Sequence, residues 1–288
     1  MVQVGFVGMG VMGAPMAGHI LNAGVPLRVY NRNRAKTEPL SDRGAVVMGS
    51  LEELGASCGL VFLCVGTTDN VRDCLDRLSV RAAPGTLFVD HSTISPRGAI
   101  EIHEALRANG FRFIDAPITG GSMGAQIGSL TVFCGGEARV IDEATPTMMH
   151  YSRRVERVGG PGAGQMMKMA NQIAVAGALL GLCESMAFAK KAGLDLVQAH
   201  RLLSGGAAGS WAFENYGPKI LARDWSPGFS IKNQRKDLVY AEEAAKALGQ
   251  VIPGAELVDV LLAQLEDAGH GEWATAALYE ALLNLEPE

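Results

Sequence analysis

Val4-Gly5-Phe6-Val7-Gly8-Met9-Gly10-Val11-Met12-Gly13 decides the fold. A short apolar strand pattern ends on a glycine, and a G-x-G-x-x-G spacing opens into a helical pattern over residues 12–23. Gly8 permits the tight turn, Gly10 lets backbone approach a pyrophosphate, and Gly13 lets helix and strand pack closely. The helix start then offers unclaimed N–H groups and a positive dipole end to phosphates. Gly8, Met9, Gly10, Val11, Met12 and Gly13 are therefore candidate dinucleotide-binding residues. The spacing alone is weak, but the strand before it and the βαβ context from residue 2 make it specific.

Working outward, short β-rich runs at 3–7, 27–30, 45–48, 60–65, 87–90 and 112–115 alternate with helical stretches at 12–23, 34–42, 51–56, 71–80 and 96–109. Two further runs, 131–134 and 154–158, flank a helix at 138–149. Such alternation predicts a doubly wound, mostly parallel sheet with helices on both faces. After Gly159-Gly160-Pro161-Gly162 the strand signal stops. One long helical pattern covers 164–192, followed by helices broken near 205–209, Pro218, Pro227 and Pro253. The expected organisation is an α/β domain over 1–161 and an all-α domain over 162–288, joined by the long helix. The last few residues are expected to be disordered.

The second strand ends at Tyr30-Asn31-Arg32-Asn33-Arg34. An NAD site normally carries Asp or Glu here to hold the ribose 2′-hydroxyl, yet no acid occurs from Gly24 to Thr37. Arg32, with Arg34 or Lys36 nearby, suits a 2′-phosphate instead, which favours NADP(H) over NAD(H). The plainer alternative is that Asn31 or Asn33 caps the next helix and the basic side chains are solvated. Two more strand ends, Cys64-Val65-Gly66-Thr67 and Asp90-His91-Ser92-Thr93, are expected to face the nucleotide, which adds Val65 and Thr93 to the cofactor candidates. His91, a lone histidine at a strand end, is read as structural.

Lys168 lies in Gly162-Ala163-Gly164-Gln165-Met166-Met167-Lys168-Met169-Ala170-Asn171-Gln172. A buried ammonium is costly unless paired or used, and burial draws its pKa toward neutrality. Asn171 and Gln172 follow at helical spacing and share its face. A tuned amine beside neutral amides suits proton transfer to a substrate oxygen; the alternative is a lysine whose stem packs while its head reaches water. In Asp115-Ala116-Pro117-Ile118-Thr119-Gly120-Gly121, Thr119 offers a hydroxyl and the paired glycines offer backbone amides as a nest for a carboxylate. An ordinary glycine-rich turn is the alternative.

Composition fits a soluble globular protein: of 288 residues, 48% are hydrophobic and 19% charged, with a formal net charge of −5. Mild acidity argues against nucleic acid or an anionic membrane as partner. The five cysteines show no metal-type spacing and read as reduced core residues, which points to the cytoplasm. No signal peptide is read at the start, and the most lipid-like run, residues 173–183, is too short to span a bilayer. Apolar positions after residue 240 exceed what a small helical lobe needs inside, so a homodimer or homotetramer is expected. The loop 204–213 is expected to close over substrate, or else Trp211 and Phe213 anchor the core.

With GFVGMGVMGAPMAGHI, DAPITGGSMGAQIGSLTVFCGG, GAGQMMKMANQ and Lys236-Asp237-Leu238 in order along essentially the whole chain, the sequence resembles the β-hydroxyacid dehydrogenase family. The resemblance implies a Rossmann domain followed by a helical domain, with Lys168 as catalytic acid/base. It further implies that Thr93 and Lys236 contact the cofactor, that Thr119, Gly120 and Gly121 bind the substrate carboxylate, and that the amides after Lys168 hold the substrate. The family usually carries serine where Thr119 stands, and often asparagine where Gln172 stands, so either Asn171 or Gln172 is the substrate amide. The implied reaction interconverts a small hydroxy acid and its semialdehyde; succinic, tartronate and methylmalonate semialdehydes and glyoxylate all fit. An imine reductase and a non-catalytic NADP-binding regulator are the rival readings, and the lysine with the intact glycine motif argues against both. No metal is expected.

Overall fold

The computed structural model describes residues 2–285; the expectation for the chain's last few residues lies outside them. The chain divides into two compact units, Met1–Lys168 and Met169–Glu288.

The first unit runs β1 (Val4–Val7), α1 (Gly13–Asn22), β2 (Leu27–Tyr30), a 3-10 turn (Arg34–Thr37), α2 (Glu38–Ser41), β3 (Val46–Val47), α3 (Leu51–Ser57), β4 (Leu60–Leu63), α4 (Thr68–Ser79) and β5 (Leu87–Asp90). It continues with α5 (Pro96–Ala108), β6 (Arg112–Asp115), β7 (Ile118–Thr119), α6 (Gly121–Gln126), β8 (Leu130–Gly135), α7 (Ala138–Met148) and β9 (Ser152–Gly159). The strands lie in the order β3-β2-β1-β4-β5-β6-β8-β7, with β9 on β8. The first six are parallel, whereas β8 runs antiparallel to both β6 and β7. This is the Rossmann-type, mostly parallel arrangement. The order reverses at β1, so the glycine loop that follows β1 sits where nucleotides bind such sheets.

Side chains alternate across a strand, and the alternation sorts the core into two layers. Phe6, Phe62, Val89 and Ile114 meet Met16 and Ile20 of α1 on one face. Val7, Val61, Leu63, Phe88 and Phe113 meet Leu54, Leu75 and Ile102 on the other. Burial on both faces explains why β1, β4 and β5 read as continuous apolar runs. Helix α4 begins three residues before its apolar pattern, because the Thr67 hydroxyl accepts from the Asn70 N–H and caps it.

Helix α8 (Ala163–Lys191) runs from the first unit into the second. By length and composition it could cross a bilayer, but Ala176, Leu179, Leu182, Cys183 and Met186 give it a face in a protein core. The second unit adds α9 (Leu196–Ser204), α10 (Trp211–Ala222), α11 (Ile231–Leu248), α12 (Pro253–Leu265) and α13 (Leu278–Leu283). Its core joins α8 to Leu238 and Ala241 of α11, Val258 and Leu262 of α12, and Leu278 of α13.

One expected break is corrected: Pro218 lies inside α10. The residue before it is Gly217, which has no Cβ to clash with the proline ring. A Cβ at Gly217 would also lie 2.1 Å from His200 Nε2, so the glycine lets α9 and α10 pack closely.

Candidate active site

The glycine loop is fixed by contacts that only glycine allows. Gly8 has φ +99°, and a Cβ there would lie 2.1 Å from the Cys64 carbonyl oxygen. At Gly13 a Cβ would lie 1.9 Å from the Gly8 carbonyl oxygen. Gly10 faces open space, with nothing within 4 Å of where its Cβ would stand. Met12 caps α1 without a side-chain acceptor, and no acid occupies the first turn, so the positive end of the helix is left for an anion. These residues fit a dinucleotide pyrophosphate.

Asn31 at the end of β2 braces this loop. Its Oδ1 accepts from the Met9 N–H at 2.9 Å, and its Nδ2 donates to the Asn33 carbonyl. Asn33, not Asn31, caps the following turn, accepting from the Ala35 N–H. Arg32, Arg34 and Lys36 are all exposed beside it, so the strand end presents cations and no acid. Val65 packs over Gly8, and its N–H donates to Ser92 Oγ at 2.9 Å.

His91 is a structural residue. It is buried, stacked on Phe62 with ring centroids 5.6 Å apart, and bridged from Nδ1 to the Ala116 carbonyl and from Nε2 to the Tyr151 hydroxyl. Burial pulls its pKa down to about 4. The neutral ring donates to Ala116 and accepts from Tyr151, which leaves it no acid–base role.

Helix α8 meets the strand ends through three successive groups. First, the buried Asp115 carboxylate at the end of β6 accepts from the Gly162 and Gln165 N–H groups at 2.8 and 2.9 Å. Burial pushes this carboxyl up to about 7 although those N–H donors pull it down. Second, the Gln165 side chain, 0% exposed, donates from Nε2 to the Ser92 carbonyl and accepts at Oε1 from the Ile94 N–H. Third, Lys168, only 8% exposed, donates from Nζ to the Ile118 carbonyl at 2.9 Å. The amine thus sits at the residue before Thr119. Gly120 and Gly121 follow with φ +126° and +65°, and α6 starts at the second of them. Thr119 and both glycines are half-buried.

Asn171 and Gln172 lie three and four residues beyond Lys168 on α8 and belong to the second unit. Gln172 is committed within that unit: its Nε2 donates to Asp237 Oδ2 at 2.7 Å, and its Oε1 accepts from Asn171 Nδ2. Asp237, 3% exposed, also pairs through Oδ1 with Lys236 Nζ at 3.0 Å, and that ammonium stands 5.4 Å from the Tyr240 ring centroid. Of the two loop aromatics, Phe213 is a core anchor at 4% exposure, while Trp211 is 46% exposed against Tyr216.

Within the first unit the structure therefore brings Lys168 to the Thr119–Gly121 segment and ties Thr93's flanks to the same helix. Sequence reading missed Gln165 and Asp115 as organisers. One signal was available, because Gln165 precedes Lys168 by one helical turn and so shares its face.

Two family models match the chain. Residues 3–160 match the NAD binding domain of 6-phosphogluconate dehydrogenase, and residues 162–282 match the NAD-binding domain of NADP-dependent 3-hydroxyisobutyrate dehydrogenase. The NAD-dependent L-serine dehydrogenase of Pseudomonas aeruginosa is 33% identical over 94% of this chain and 95% of its own. The 2-hydroxy-3-oxopropionate reductase of Escherichia coli is 33% identical over 98% and 97%. Among solved structures, the Mycobacterium tuberculosis 3-hydroxyisobutyrate dehydrogenase with L-serine superimposes with a TM-score of 0.87 at 29% identity, covering 98% of this chain and 99% of that one. An imine reductase from Pseudomonas, at 21% identity and a TM-score of 0.68, shares the fold alone.

Proposed function

The chain belongs to the β-hydroxyacid dehydrogenase family, NAD(P)-dependent oxidoreductases, and from that premise we propose that it interconverts a 3-hydroxy acid and its semialdehyde with NADP(H), using Lys168 as acid and base. The observation that carries this reading is the 2.9 Å hydrogen bond from Lys168 Nζ to the Ile118 carbonyl. It holds a buried amine at the entrance to the Thr119-Gly120-Gly121 turn.

In the proposed mechanism, the Thr119 hydroxyl and the Gly120 and Gly121 N–H groups take the substrate carboxylate. Fixing that carboxylate fixes the reacting carbon, which is mainly a proximity effect. The glycine loop from Gly8 to Gly13, with Val65, Thr93 and Lys236, would hold the dinucleotide, whose chemistry when bound is hydride transfer. Protonated Lys168 stabilises the developing alkoxide and delivers its proton; in the oxidative direction the neutral amine accepts it. The Ile118 carbonyl orients the amine for this transfer. Because Gln172 is held by Asp237, Asn171 is the amide assigned to the substrate and Gln172 its support. Arg32, with Arg34 or Lys36, would pair with a 2′-phosphate by charge-assisted hydrogen bonds.

The relatives' names support one class of substrate. 3-Hydroxyisobutyrate, L-serine and 2-hydroxy-3-oxopropionate, taken from their names, share one skeleton: a carboxylate, a substituted C2, and an oxygen on C3. A clamp of one hydroxyl and two amides beside an amine suits that skeleton. We assign residues 1–161 chiefly to cofactor binding, together with the Thr119–Gly121 substrate turn, and 162–288 to the remaining substrate contacts, Lys236 and subunit contacts, in a cytoplasmic homodimer or homotetramer. Helix α9 supports the subunit contacts, since none of its residues is buried while Val197 and Leu202 are exposed.

The test is a panel of these compounds and succinic semialdehyde, assayed with NADPH or NADP+ and with NADH or NAD+. The expected result is turnover of the C3-oxygen compounds with a preference for the phosphorylated cofactor of about tenfold or more, which Arg32→Ser removes. Equal use of both cofactors by the wild type overturns the 2′-phosphate assignment, and no turnover of any member overturns the reaction.

A further inference from the structure

Beyond the end of β5 the sheet ladder runs out, and a side chain replaces it. The last backbone pairs there are the His91 N–H to the Leu63 carbonyl and the Ala116 N–H to the Asp90 carbonyl. Farther along the chain, the Ser92 carbonyl and the Ile94 N–H are met instead by the amide head of Gln165, at 2.8 and 3.2 Å. A primary amide carries a donor and an acceptor on one planar head, as a backbone peptide does. Here it acts as a one-residue strand partner that grips the chain on both sides of Thr93. The Gln165 backbone is itself fixed, because its N–H donates to Asp115. Ser92 passes the constraint on, since its Oγ accepts from the Val65 N–H.

We propose that Gln165 is a positioning residue, which locks the cofactor-side residues Thr93 and Val65 to the turn of α8 that carries Lys168. Gln165 and Lys168 are one helical turn apart on a common face. One grips the end of β5 and the other the segment after β6, so α8 cannot slide or rotate without breaking a hydrogen bond at both. The role rests on the assignment of Lys168 and Thr93 under the proposed function. It also explains the residue type. Glutamate loses the donor when ionised, methionine loses both groups, and asparagine is one methylene too short to hold its backbone position and reach both partners.

The test uses Gln165→Met and Gln165→Glu in the full-length protein, with NADPH affinity from fluorescence titration and kcat for whichever of L-serine, 3-hydroxyisobutyrate or 2-hydroxy-3-oxopropionate the wild type turns over best. A misplacement near 1 Å costs about 100-fold in rate, so Gln165→Met should lose kcat on that scale while NADPH affinity falls by no more than about tenfold. Protonation returns a donor to Gln165→Glu, so its deficit should shrink by about tenfold between about pH 8 and about pH 6. If Gln165→Met does not fold, Gln165→Asn carries the same measurement. A kcat within about threefold of wild type, whatever the loss of melting temperature, overturns the proposal, as does a kcat loss matched by the loss of NADPH affinity. Lys168→Ala separates the two levels. Normal turnover in that variant overturns the mechanism and this role together, whereas lost turnover in Lys168→Ala beside normal turnover in Gln165→Met overturns this role alone.

Discussion

At the residue scale, the chemistry is divided among polar groups that sequence alone treats alike. His91 and Lys168 both stand near strand ends, yet one is enclosed by Phe62, Ala116 and Tyr151, and the other donates to the Ile118 carbonyl beside a glycine turn. The enclosure of His91 has a pH signature. Its pKa falls from 6.5 in the open chain to about 4 in the fold, so the unfolded chain takes up the proton first as pH drops. The contribution is therefore full above 6.5 and lost between 6.5 and 4, a change of about 3 kcal/mol. Asp115 runs the opposite way over an overlapping range, from 3.8 up to about 7, because its folded form holds the proton more readily. A plain stability profile mixes the two, so the informative quantity is the stability gap between wild type and His91→Gln. That gap should narrow by about 3 kcal/mol from pH 7 to pH 4 in denaturant titrations; a gap independent of pH contradicts a buried neutral imidazole.

At the scale of elements, α8 is the decisive piece, and Asp115 is what seats it. Gly164 lets the helix approach, since a Cβ there would lie 2.5 Å from the Phe133 carbonyl oxygen. The carboxylate then satisfies the Gly162 and Gln165 N–H groups, which a helix start leaves without partners. Asp115→Ala strands two buried donors and should cost about 3 kcal/mol or more in chemical denaturation. It should also lower turnover, because Gln165 and Lys168 ride on the same turns. A loss below about 1 kcal/mol means that water or a neighbour takes over both donors.

The elements also mark where sequence reading succeeds. Strands β1, β2, β5 and β6 were legible as short apolar runs bounded by turn residues, and helix α8 because its helical pattern holds over 29 residues. The two-residue β7 and six-residue α6 were not, since neither is long enough to carry a period, and they build the Thr119–Gly121 turn. Pro218 misled because the rule against internal proline weakens when glycine precedes it.

At the scale of the whole molecule, the order of motifs along the chain makes the family readable in the sequence, whereas the partners of each polar side chain are not readable there. Nothing in GAGQMMK states that Gln165 faces Ser92 or that Lys168 faces Ile118; those pairings come from how β5 and β6 end. The first unit holds the glycine loop, the Thr119–Gly121 turn and Lys168, whereas Asn171, Gln172, Asp237 and Lys236 belong to the second. The central claim is that one amine moves the proton, and it is tested most directly by measuring turnover and NADPH affinity in Lys168→Ala. The account predicts turnover lower by about 10²–10⁴ with NADPH affinity within about threefold of wild type. Near-normal turnover in that variant would contradict it.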